Sequence, residues 1–150
     1  MREQFQTSFA DTTIPGISLQ SVINHLLRHS LSDVLRSSDS SVMNEIPANL
    51  YLAVRGNKIT PVIKDLLATI LGNARKGRIH IRADRFRDII ILEILDQSNY
   101  NGYALENSIR SIEPLARTVG GYISIKGNHQ LETTVTFSFP NQETGFSYEC

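Results

Sequence analysis

The sequence predicts a two-layer α/β sandwich, a mixed and mostly antiparallel sheet with helices on one face. Two sets of patterns predict it. Apolar residues recur at helical spacing over Leu19–Leu35, Ile59–Ala74 and Leu105–Val119. Between and after them come runs of strand length, at Ile79–Ala83, Ile89–Leu95, Ile123–Ile125 and Val135–Phe139. Helices and strands that each carry one apolar face bury both by stacking a helical layer on one side of a sheet.

Along the chain, Leu19, Val22, Ile23, Leu26, Leu27, Val34 and Leu35 trace the first helical stripe, with Ser18 as its N-cap and Ser30 and Ser32 as points of interruption. Ser37 to Ser41 is polar and turn-like. Val42–Ile46 and Leu50–Val54 read as short strands around Pro47, and Arg55-Gly56-Asn57 as a turn. The next helix carries a wide stripe from Ile59 to Ala74, has Pro61 in its first turn, where a missing N–H is harmless, and ends at Gly77. Ile79, Ile81 and Ala83 alternate with Arg78, His80 and Arg82, which marks a strand with one wet face. Asp84 to Asp88 turns this strand into the nearly continuous apolar run Ile89–Leu95, a central strand flanked on both sides. A loop over Asp96–Gly102 leads to one helix through Leu105, Ile109, Ile112, Ala116 and Val119, terminated by Gly120. Two half-buried strands, turned at Gly127-Asn128, close the pattern.

With 150 residues and 41% apolar content the chain is sized for one compact domain. We assign it to 17–140, between an N-terminal segment 1–16 and a tail 141–150. Fifteen basic and fifteen acidic side chains cancel, so no global field draws in nucleic acid or an anionic membrane. Cys150 is the only cysteine, which leaves no intrachain disulfide. Met1–Gly16 lacks a signal-peptide core, and no apolar run reaches the roughly 18 residues of a membrane span. A cytoplasmic protein is the default expectation.

The chemistry-bearing residues fall in a recognisable order. Asn73-Ala74-Arg75-Lys76 ends the long helix, Asp96 ends the central strand, and Gly120-Gly121 follows the second helix. In this order, over about the last two thirds of the chain, the sequence resembles the ATP-binding domain of the GHKL superfamily, the histidine kinase-like ATPase or Bergerat fold. The resemblance implies that Asn73 matches the family's magnesium-coordinating Asn, Lys76 its phosphate-binding Lys and Asp96 its adenine-binding carboxylate, with Gly102 a remaining glycine. Other readings of the same residues stay open. Asn73 suits a helix C-terminus bonding its own backbone, Lys76 a cation against the helix dipole, and Asp96 a loop cap.

Elsewhere the chain departs from the family's pattern. Thr69 stands where the family has Asn or a general-base Glu, and a neutral hydroxyl is a poor base. Ser98 and Tyr100 occupy glycine positions after Asp96. The Gly-rich phosphate loop, counted back from Gly120-Gly121, falls on Glu106, Asn107, Ser108 and Ile109. Little chain remains between Asp96 and Leu105 for a lid. The structural parts persist around Leu115-Ala116, Ile123, Ile125 and Thr133–Pro140.

Neither His25 nor His29 is followed by the acid of a phosphoacceptor motif, and both read as surface histidines. No His, Cys, Asp or Glu cluster has metal-ligand spacing, and no Gly-x-Ser-x-Gly occurs. Arg75, Lys76, Arg78, His80, Arg82, Arg85 and Arg87 form a basic stripe, with Asp84 and Asp88 the only acids inside it. It reads either as a charged, aggregation-resistant edge or as a contact for an acidic partner.

The favoured expectation is a degenerate histidine kinase-like module of bacterial signalling. It would act by contact with a protein partner, with little or no ATP turnover, no cofactor, no membrane and no nucleic acid, and a homodimer stays open. One alternative is a competent kinase domain of sensor or anti-sigma type, holding ATP and magnesium through Asn73, Lys76, Asp96 and Gly102, with Asn73 on the metal. The other is a polyanion binder using the basic hairpin.

Overall fold

The computed structural model describes residues 16–53, 58–97, 102–127 and 132–141. In chain order the elements are β1 (Ile17–Ser18), α1 (Leu19–Arg28), α2 (Ser32–Ser38), β2 (Ser41–Asn44), β3 (Tyr51–Leu52), α3 (Ile59–Asn73), β4 (Arg78–Phe86), β5 (Ile89–Asp96), α4 (Gly102–Arg110), α5 (Glu113–Thr118), β6 (Tyr122–Lys126) and β7 (Thr133–Pro140). The expected N-terminal segment, the turn at Arg55-Gly56-Asn57, Ser98, Tyr100, Asn128 and the tail beyond Asn141 lie outside the described residues.

The main sheet has five strands in the order β2-β4-β5-β7-β6. β2 runs parallel to β4 and every other pairing is antiparallel, as the mixed pattern predicted. β5 is central to the core, and Ile90, Leu92 and Ile94 on its inner face are each buried. Register carries that face across the sheet: Leu92 lies opposite Ala83 on one side and Phe137 on the other, and Phe137 opposite Ile123. The α3 stripe of Ile59, Val62, Ile63, Leu66, Leu67, Ile70 and Leu71 is buried in the same core. Burying each such side chain stabilises the fold by roughly 1.5–3 kcal/mol before chain entropy is counted.

Four local expectations need correction. Of the strand expected at Leu50–Val54, Tyr51–Leu52 is strand among the described residues, which exclude Val54, and it pairs with β1 instead of joining the main sheet. β2 stops at Asn44 because that side chain turns the backbone, accepting from Ile46 N–H at 3.2 Å and donating to Asn24 Oδ1 at 2.9 Å. The helix expected over Leu105–Val119 is two, α4 and α5, broken at Ser111-Ile112. Pro114 explains the break, since it has no N–H for the Arg110 carbonyl and its ring would crowd it. Finally, α3 ends at Asn73 and not at Gly77; Ala74 is already extended, and the left-handed position is Lys76 at φ 54°.

Other ends behave as read. Ser18 caps α1, its side chain accepting from Ser21 N–H at 3.3 Å. After α5, Gly120 N–H donates to Arg117 O at 2.9 Å and Gly121 N–H to Ala116 O at 2.8 Å. With Gly120 at φ 74°, this is a Schellman termination that only glycine adopts without strain.

Gly121 and Gly72 make opposite predictions. A Cβ on Gly121 would overlap the ring of fully buried Phe137 and lie 3.1 Å from Ser138 O. Gly121→Ala is therefore expected to cost about 1–3 kcal/mol. Gly72 sits in α3 with nothing within 4 Å of a Cβ. Gly72→Ala should instead stabilise by about 0.5–1 kcal/mol through helix propensity. Urea melts of the two variants check the sign of each.

Candidate functional site

The residues singled out at the end of α3 are committed to structure on one side and open on the other. Thr69 Oγ1 donates to Asp65 O at 2.8 Å, and Asn73 Nδ2 donates to Thr69 O at 2.9 Å. Both side chains thus bond carbonyls of their own helix. The turn after Asn73 is clamped by the α2–β2 connection. Lys76 N–H donates to Ser38 O at 2.8 Å, Gly77 N–H to Ser40 Oγ at 2.9 Å, and Ser41 N–H to Gly77 O at 3.0 Å. The Lys76 side chain is exposed.

Asp96 closes the other side of this turn. It ends β5 between Ile79 of β4 and Thr133 of β7, and only 1% of it is exposed. A Cβ on Gly77 would stand 2.9 Å from Asp96 Oδ1 and 3.5 Å from Ala74 Cβ. Glycine is required at position 77 because the carboxylate reaches the turn. The structure therefore brings Asp96 against the Ala74–Gly77 turn that Asn73 and Lys76 flank. Gly102 opens α4 and is buried, and α4 packs against α3. Sequence reasoning missed Ser38, Ser40 and Thr133. The first two fell in a segment read only as a turn, and Thr133, fully buried opposite Asp96, was read as the first residue of a strand.

The positions where a phosphate loop would fall have a definite conformation. Glu106, Asn107, Ser108 and Ile109 lie within α4, where their N–H groups close helical turns. Glu106 Oε2 accepts from Arg110 Nη2 at 2.9 Å, one turn on. A phosphate cradle needs several N–H groups free of such bonds.

The basic stripe is not basic throughout. Glu45, just past β2, meets Arg82 Nε at 2.9 Å and His80 Nδ1 at 3.2 Å. Glu93 lies opposite Arg82 in the β4–β5 register, on the same outer face. Arg85 Nε donates to Arg87 O at 3.0 Å within the hairpin turn. The face is therefore of mixed charge, which the sequence hid because Glu45 arrives from a strand paired nonlocally.

Comparison with known proteins gives fold but not family. No family model and no curated protein matches the sequence. Solved structures do. The histidine kinase AdeS of Acinetobacter baumannii superposes with a TM-score of 0.67 at 12% identity, over 89% of this chain and 70% of that one. The catalytic domain of the histidine kinase ThkA, in a nucleotide-free form, gives 0.61 at 14%, over 87% and 97%. A histidine kinase from Burkholderia phymatum gives 0.68 at 7%, over 86% and 71%. The chain has the GHKL histidine kinase-like ATPase fold.

Among the described residues no group of three or more His, Cys, Asp or Glu could hold a metal ion, and no helix is long and apolar enough to cross a membrane.

The Glu45 cluster predicts a pH response. The Arg82 hydrogen bond, and then that of His80, hold the Glu45 carboxyl below its ordinary value of 4.5. A carboxylate with a depressed value contributes stability above its unfolded value and loses it as pH falls through the folded one. Arg82 stays protonated throughout and adds no pH dependence of its own. The stability gap between wild type and Glu45→Gln should be complete above about pH 5 and close in acid, as urea melts from neutral to acid pH would show.

Proposed function

We propose that this chain is a histidine kinase-like ATPase-type module of a bacterial signal-transduction system, which works in the cytoplasm by protein contact with little or no ATP turnover. The observation that carries the reading is α4, which runs as regular helix through Glu106–Ile109. Helical N–H groups already bonded at those positions are not available to a triphosphate. Thr69 supports the same reading, because its hydroxyl is turned back onto Asp65 O and offers no general base.

The protein-contact half of the proposal rests on the outer sheet face. Phe86 and Tyr122 are 62% and 69% exposed, with Ile89 and Ile91 beside them. Register sets Phe86, Ile89 and Pro140 in one row, and Ile91, Ser138 and Tyr122 in the next. Exposed apolar groups gathered on one face mark interaction surfaces more often than idle ones. Among proteins of this fold, ThkA is known in complex with the response regulator TrrA. By that analogy the proposed partner is a signalling protein.

A second reading, a competent nucleotide-binding kinase domain, is favoured by one observation. Asp96 sits buried at the strand end against the Ala74–Gly77 turn, in a fold whose member ShkA is known in complex with AMPPNP. In that reading Asn73, Lys76, Asp96 and Gly102 would hold ATP, and Asn73 the magnesium.

A thermal melt with magnesium ATP separates the two. A ligand at a hundred times its dissociation constant adds about 2.7 kcal/mol. For a domain of this size that raises Tm by roughly 5–11 °C. We expect no shift at millimolar nucleotide. A rise in that range, removed by Asn73→Ala, would overturn the contact-module reading and establish the kinase one.

A further inference from the structure

Helix α1 ends in two imidazoles. His25 lies in its last turn and His29 is its C-cap, whose N–H donates to His25 O at 3.0 Å. Four residues apart, the two side chains share one face of the helix. Their ring centroids are 4.4 Å apart and the rings are tilted by 42°. Both residues are exposed, and among the described residues neither ring has a hydrogen-bond or ion-pair partner. His80 differs, since its ring is held by Glu45.

The sequence alone gave these two only as surface histidines; brought onto one helix face with their rings 4.4 Å apart, they offer two nitrogen donors to a single ion. Imidazole nitrogen suits zinc, copper and nickel, whereas calcium and magnesium prefer oxygen. The position favours a cation as well, because the unbonded carbonyls of a helix C-terminus carry partial negative charge. Arg28 is the opposing charge on this helix; its Nε lies 3.4 Å from Asn24 O, one turn back. On the next helix Asp33 and Arg36 pair with each other at 3.2 Å. His25 is also part of the wall of an open cavity of about 460 Å³, together with Ser21, Arg28 and Thr60. An ion on the pair would have room beside it for coordinating water.

We propose that His25 and His29 form a two-nitrogen chelate for a divalent late first-row transition ion, of the class of nickel, copper and zinc, with water in its remaining positions. Such an ion ties the last turn of α1 to the connection that leads into α2. The site is independent of the nucleotide question, since none of the cavity's lining residues belongs to the turn at Asn73–Gly77 or to Asp96.

The test is a titration of the full chain, free of any polyhistidine tag, with nickel chloride, followed by the amide NMR spectrum. Paramagnetic broadening should saturate, centre on amides from Asn24 to Ser32, and reverse on adding EDTA. His25→Ala and His29→Ala should each remove it, while the rest of each variant's spectrum matches wild type and shows that the fold is intact. Arg28→Ala should leave it in place. The proposal fails if broadening survives either histidine substitution. It fails equally if broadening centres on His80, His129 or Cys150, or never saturates.

Discussion

The register of β5 between β4 and β7 is the constraint on which the rest of this structure depends. Side chains alternate across a strand, so one setting decides together that Ile90, Leu92 and Ile94 face the helices and that Asp96, next in the same alternation, is buried with them. A slip of one residue would send all four to solvent. The same setting places Thr133 beside Asp96 and Phe137 beside Leu92. The core and the candidate site are thus products of a single alignment. Gly77, which has to be glycine to admit the carboxylate, is the point where they meet.

Much of this was legible in the sequence where a pattern is local and periodic. The α3 stripe and the alternations of β4, β5 and β7 each repeat often enough to define a face. Asp96 occupies an inward position of that alternation, so its burial could also have been read. The two-residue strand β1 could not, because it has no pattern of its own and exists through its pairing with β3. Glu45 was invisible for a similar reason: its partners depend on the parallel pairing of Asn44 with Ile81, across a long stretch of chain. Pro114 marks the break at Ile112, but the apolar periodicity continues through it and by itself reads as one helix. At the site, the order of Asn73, Lys76 and Asp96 in the sequence indicated which segments lie near one another. It also left open the reading of Asn73 as a residue that bonds its own helix, as it does to Thr69 O, but it gave no sign that Ser38 and Ser40 brace the turn.

Fold and activity make different demands on a chain. The elements that define the fold are those that bury apolar surface, and such burial is indifferent to whether a cleft is used. Nucleotide handling needs backbone donors left unpaired until the ligand arrives, a costly arrangement that tends to lie at the less stable end of a structure. At Glu106–Ile109 in α4 such donors are satisfied within the helix. The outer face of the sheet exposes Phe86, Ile89, Ile91 and Tyr122, and also carries Arg82 paired with Glu45.

Glu106, Asn107, Ser108 and Ile109 belong to a helix, with their N–H groups engaged in its turns and not turned toward a phosphate. Residue-resolved amide hydrogen exchange tests it most directly, measured without nucleotide and again with saturating magnesium ATP. The account predicts that these four amides are protected together with the rest of α4 and that nucleotide changes none of them. Fast exchange in the free protein, converted to protection when magnesium ATP is added, would contradict it.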